Sequence, residues 1–135
     1  MLEAVLPWAE SRFGADTHRE GRILAGASNG AAWALVAAQR SPRVFGGAIG
    51  FSVAGWSPQQ LTERGRNVRL GRNVRCHLAA GTLEPFMVVT RAWVDALAAA
   101  GAAVTFRERV AGHDFCSWVE QLPGAIASVL DSTRT

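Results

Sequence analysis

Four short apolar runs alternate with helical stretches, and that alternation constrains the fold more than any other feature of this chain. The runs cover 23–26, 46–51, 76–80 and 104–110. Between and around them, apolar residues return at helical spacing over 2–13, 29–40, 86–100 and 117–130. In the first of these, Leu2, Val5, Leu6, Ala9 and Phe13 share a face and Gly14 supplies a stop. Ser41-Pro42 and Gly101 end the next two, and Pro123 is expected to start a second helix or kink the last. Strands that alternate with helices of this length predict βαβ units. The expected fold is α/β, a parallel sheet of about four strands flanked by helices. Continuous apolar runs fit strands covered on both faces. The stretch 52–75, with its Gly, Pro, Gln and Arg, is read as irregular.

One domain is the most that 135 residues support. Apolar residues make up 49% of the chain and charged residues 19%, enough for a packed core and too apolar for a disordered chain. No run approaches the roughly 18 apolar residues of a membrane span, so no membrane partner is expected. The N-terminal segment has no basic region and carries Glu3, so no secretory signal is visible and a cytoplasmic location is expected.

The net charge of +3 is local in origin. All basic residues are arginine, and five of them (Arg64, Arg66, Arg69, Arg72, Arg75) fall within twelve positions; without these, nine arginines face eleven acids. The segment holds no aromatic residue, which argues against a nucleic-acid partner. Within it, Gly65-Arg66-Asn67-Val68-Arg69 recurs as Gly71-Arg72-Asn73-Val74-Arg75. A local expansion explains the repeat most simply; the alternative is an Arg-rich rim that attracts anions. Cys76 and Cys116 match no zinc or redox spacing and read as two reduced thiols.

Gly26-Ala27-Ser28-Asn29-Gly30 matches G-x-S-x-G and lies between an apolar run and a helical stretch. On such a strand-to-helix turn a serine hydroxyl is exposed, and the flanking glycines are expected to let strand and helix approach. The helix start directs N–H groups at the site, with the Asn29 N–H as candidate oxyanion donor. Serine needs a base. His18 lies in a polar connection and His77 inside a strand, whereas His113 follows the last strand, at the sheet edge where α/β sites form. For the orienting carboxylate, Glu84 sits just past the third strand, held extended by Pro85. Asp95 is mid-helix, Glu63 lies in the Arg-rich stretch and Asp114 adjoins His113; a Ser–His dyad is the alternative. Trp56 and Trp118 are candidate pocket residues, with plain core packing as the other reading. No metal cluster is complete and no nucleotide motif occurs, so no cofactor is expected.

Three blocks carry a resemblance: Gly26–Gly30, Leu78-Ala-Ala-Gly-Thr-Leu-Glu-Pro85, and Gly112-His-Asp-Phe-Cys-Ser-Trp-Val-Glu-Gln-Leu-Pro123. They resemble the Putative esterase family of α/β-hydrolases, nearest its enterochelin (ferric siderophore) esterase-like branch, with esterase D and the mycolyltransferases more distant. The resemblance implies hydrolysis of a small-molecule carboxylic ester through an acyl-enzyme, with Ser28 as nucleophile, His113 as base and Glu84 as orienter. It implies no metal or organic cofactor. The siderophore branch implies a cationic wall for an anionic substrate, for which the Arg66–Arg75 stretch, with Arg69 and Arg72, is the candidate.

Family members carry an N-terminal half before the helix that opens this chain. Residues 1–135 are therefore expected to form a partial domain, the C-terminal part of an α/β-hydrolase fold. The loop that supplies a second oxyanion donor is then absent, which costs on the order of 10²–10³ in rate. The strand at 23–25 becomes an edge, to be covered by a missing N-terminal segment or by a second copy in a homo-oligomer. An ester hydrolase is the leading reading. A non-enzymatic remnant of an esterase and an acyltransferase are the alternatives.

Overall fold

The computed structural model describes residues 2–64 and 69–131. Four parallel strands form one sheet in sequential order: β1 (Ile23–Ala27), β2 (Gly47–Phe51), β3 (Arg75–Gly81) and β4 (Val104–Arg109). The register is continuous, with Ala27 beside Phe51 and Phe51 beside Ala79. Helices α1 (Leu2–Phe13), α2 (Asn29–Arg40), α3 (Pro58–Glu63), α4 (Met87–Ala99) and α5 (Phe115–Leu130) surround it.

Sequential order follows from chirality. Right-handed crossovers between neighbouring parallel strands put their helices on one face. Here Ala31, Leu35 and Ala38 of α2 and Trp93 and Leu97 of α4 pack with Ala48 and Leu78 on that face. The last helix returns to the other: Ala125 and Val129 of α5 cover Ile49, Phe51 and Ala79. Every residue of β2 is buried, which accounts for an apolar run without alternation. Leu35, Ile49, Leu78, Trp93 and Leu97 are fully buried, and each large apolar side chain so placed contributes about 1.5–3 kcal/mol.

Two expectations need correction. The stretch 52–75 is not wholly irregular, because α3 forms within it. Ser57 caps that helix: its hydroxyl accepts from the Gln60 N–H at 3.3 Å, while the Gln60 carboxamide accepts from the Ser57 N–H at 2.9 Å. This is a capping box, with Pro58 preset for the first turn. At the other end of the chain, Pro123 starts no second helix; α5 runs through it without interruption. The carbonyl that loses its partner belongs to Val119, whose side chain is half exposed, so the gap lies toward solvent.

β1 has one strand neighbour, β2, among the described residues. Helix α1 is linked to the residue that precedes β1 by an ion pair between Glu10 and Arg22. Its Trp8 and Phe13 stack edge to face at 5.1 Å and remain exposed. Among the described residues no helix is long and apolar enough to cross a membrane.

Candidate active site

Ser28 is the single residue between β1 and α2, and it bears the whole turn. Its backbone lies at φ 56°, ψ −125°, a region L-residues rarely adopt. Three backbone bonds hold it there. The Ser28 N–H donates to the Phe51 carbonyl at 2.9 Å, and the Ser28 carbonyl accepts from Ala31 at 3.1 Å and Ala54 at 3.2 Å. The two glycines of the motif differ. A Cβ on Gly26 would be driven into the Gly30 carbonyl, so that position requires glycine. A Cβ on Gly30 would meet open space, contrary to expectation. Strand and helix approach at one glycine only, because the second already points away along α2.

The ends of β3 and β4 bring a carboxylate to an imidazole. Past Gly81, the Thr82 N–H donates to the Arg109 carbonyl at 2.9 Å and the Leu83 N–H to the Ala111 carbonyl at 3.1 Å. The two exit loops therefore continue the strand pairing. Their approach is so close that a Cβ on Gly81 would collide with the Ala111 carbonyl. Glu84 is thereby presented to His113. One carboxylate oxygen lies 2.6 Å from His113 Nδ1, and the other accepts from the Gly81 N–H at 2.8 Å. The carboxylate is fully buried, while the imidazole retains some exposure.

The far side of the same ring reaches the elbow: His113 Nε2 lies 3.1 Å from Ser28 Oγ. An ionised carboxylate only accepts, so Nδ1 carries the proton and Nε2 presents its lone pair to the hydroxyl. A hydroxyl, an imidazole and a buried carboxylate thus form one line. Such a line can take a proton from the hydroxyl and stabilise the resulting imidazolium. Asn29 opens α2 beside it.

The imidazole also packs against two aromatic rings. Phe86 lies 4.7 Å away, tilted, and Trp118 lies 4.8 Å away, edge to face. The Trp118 indole N–H donates to Ser52 Oγ at 2.8 Å. Asp114 is occupied otherwise: it caps α5, accepting from the Ser117 N–H at 2.8 Å. Nothing in the sequence singled out Phe86 or Ser52. The one available signal was position, since Ser52 directly follows β2 and Phe86 ends the loop that leads from β3 into α4.

The remaining candidates disperse. Trp56 lies under the Arg64 guanidinium at 4.3 Å and accepts a bond from Trp93 Nε1 at its carbonyl. With Asn29, Trp33, Arg40 and Leu61 it lines a cleft of about 410 Å³ next to the elbow. Arg72 is not brought to Ser28. It lines a separate concavity with Arg19, Glu20, Gly46 and Arg75. The reason is topological, since residues leading into β3 must reach its amino end, opposite the edge that holds the site. Arg69 is exposed in the same connection, and Arg66 lies outside the described residues.

His18 pairs with Asp16 at the surface. His77 is buried in β3, where burial, and then the Arg107 charge, hold its pKa below the ordinary value. Cys76 is buried and Cys116 exposed, and both are free. Among the described residues no cluster of His, Cys, Asp or Glu could hold a metal ion.

A strained serine between strand and helix, on a parallel sheet and in line with a histidine from a later strand end, defines the α/β-hydrolase class. Within that class the chain belongs to the Putative esterase family, whose model matches residues 1–129. Among solved structures it is similar to the enterochelin esterase of Shigella flexneri (TM-score 0.83, 23% identity, covering 96% of this chain and 35% of that one). It is also similar to a ferulic acid esterase (0.77, 20%, 95% and 57%). A third is the S-formylglutathione hydrolase of Staphylococcus aureus (0.72, 14%, 94% and 58%). The chain therefore spans between about a third and three-fifths of those relatives. No match was found among curated proteins.

Proposed function

We propose that this chain carries the catalytic line of a serine hydrolase acting on carboxylic esters. The observation that supports the reading is the unbroken sequence Ser28 Oγ, His113 Nε2, His113 Nδ1, Glu84, with separations of 3.1 and 2.6 Å. In acylation Ser28 Oγ attacks the ester carbonyl while His113 Nε2 accepts its proton. Glu84 keeps the ring in the Nδ1–H tautomer and stabilises the imidazolium. The Asn29 N–H faces the oxyanion at the start of α2. His113 then returns the proton to the departing alcohol oxygen. In the second half it takes a proton from water, whose oxygen attacks the acyl carbon, and then passes that proton to the departing Ser28 Oγ, which frees the acid and restores the hydroxyl. The cleft beside Asn29, with Trp33 and Trp56, is the proposed seat for a non-reacting part of the substrate.

The test combines a fluorophosphonate probe with p-nitrophenyl acetate and butyrate. The expected result is a stoichiometric adduct on Ser28, lost in Ser28→Ala together with turnover. An adduct that persists in Ser28→Ala overturns the assignment.

A further inference from the structure

We propose that Ser52 is a positioning residue for His113, acting through Trp118; the inference rests on the reading of His113 as the base. The two hydrogen bonds of the imidazole leave from Nδ1 and Nε2, at opposite ends of the ring. Together with the covalent tether at Cγ they set the ring plane, while the sides of the ring that carry no hydrogen bond are held by packing. Those lateral contacts come from Phe86 and Trp118.

Both neighbours are tied to the two residues that follow β2. Ser52 Oγ accepts the Trp118 indole N–H at 2.8 Å. Val53 donates its backbone N–H to Thr90 Oγ1 at 2.9 Å, and that hydroxyl donates in turn to the Phe86 carbonyl at 2.9 Å. The segment leaving β2 is therefore linked to the backbone of Phe86 and to the ring of Trp118, the latter through the Ser52 side chain.

Ser52 occupies a backbone state that favours glycine. Its φ is 51°, and a non-glycine residue there costs on the order of 1 kcal/mol or more. It is also buried. A buried hydroxyl needs a partner, and the indole N–H provides one. A side chain kept where glycine is easier has its reason in what the hydroxyl holds. What it holds is the ring against His113.

The test uses the full chain, labelled with ¹⁵N, and the variants Ser52→Gly and Trp118→Phe. The first removes the hydroxyl while relieving the φ cost. The second keeps an aromatic ring and deletes the indole donor with its fused five-membered ring, so Ser52→Gly is the variant that isolates the hydrogen bond. The readout is solvent exchange of the His113 Nδ1 proton, assigned with His113→Gln, with the His77 ring signals reporting the intact fold. Loss of one hydrogen bond predicts that exchange quickens by about tenfold in both variants. On p-nitrophenyl butyrate, kcat falls by a similar factor while KM stays within about twofold.

Exchange within about twofold of the unaltered chain in both variants overturns the proposal. Unfolding of both overturns it too, because the pair then supports the fold rather than the imidazole. Absence of a fluorophosphonate adduct on Ser28 would instead refute the hydrolase reading, and the exchange measurement stands apart from turnover.

Discussion

Ser28 and Ser52 stand side by side, each one residue beyond its strand, in neighbouring strands whose last residues, Ala27 and Phe51, are paired. Both have positive φ, and among the described residues they are the only non-glycine positions that do. The chain concentrates its backbone strain at one edge of the sheet, where the hydroxyl, imidazole and carboxylate meet. Strain of this kind persists where surrounding contacts over-determine the conformation, and the bonds from Phe51, Ala54 and Ala79 supply them.

Replacing Glu84 by glutamine preserves the acceptor for the Gly81 N–H but removes the charge facing Nδ1. The imidazolium then forms without a counter-charge. The expected loss in kcat is on the order of 10³–10⁴, with KM nearly unchanged. Steady-state kinetics on p-nitrophenyl butyrate check this, and a loss of less than tenfold would favour a Ser–His dyad.

The two motif glycines should separate cleanly. Gly26→Ala sets a Cβ against backbone that has no room to move, so the elbow must shift or the fold weaken by several kcal/mol. Gly30→Ala meets nothing within 4 Å and gains about 0.5–1 kcal/mol from helix propensity. Denaturant midpoints of the two variants, compared with the unaltered chain, decide it.

His77 makes stability depend on acid. Its Nδ1 lies 2.8 Å from the hydroxyls of both Thr105 and Ser128, and the Ser128 hydroxyl donates to the Ala125 carbonyl. Nε2 is buried without a partner among the described residues, so a proton added there finds no acceptor among them. The folded-state pKa is lowered, first by burial and then by Arg107. The unfolded chain therefore binds this proton more readily than the folded one. Its contribution is complete above the unfolded value, near pH 6.5, and falls away as pH drops toward the folded value, at up to about 1.4 kcal/mol per pH unit. Thermal midpoints between pH 7 and 5 should decline, and His77→Gln should flatten the decline.

The two thiols should differ in reactivity. Burial pushes the Cys76 thiol up to about 12, whereas Cys116 is exposed in the first turn of α5. A thiol reagent at pH 8 is expected to modify one cysteine in the folded chain and two after denaturation. Mass spectrometry should place the first adduct on Cys116.

The strands were legible because a parallel sheet covered on both faces writes continuous apolar runs, as in Gly47–Phe51. Glu84 and His113 were legible as neighbours of strand ends, although residues 82–86 form turns and a bend rather than the extended segment expected before Pro85. Helix α3 was missed although Ser57-Pro58-Gln59-Gln60 spells a capping box, because six residues are too few to show a period. The Ser52–Trp118 bond spans 66 positions, and no local pattern encodes a contact of that range. Arg72 shows the converse. Its charge was visible, but only the direction of β3 decides which end of the sheet it decorates.

The paired exits of β3 and β4 make Glu84 and His113 one mechanical unit, anchored on two adjacent ribbons of backbone. Ser28 belongs to a different unit, the kink at the far ribbon. A displacement of β1 relative to β3 and β4 would open the gap between hydroxyl and ring while leaving ring and carboxylate together. Of the two joints in that line, only the one at the hydroxyl spans separate ribbons.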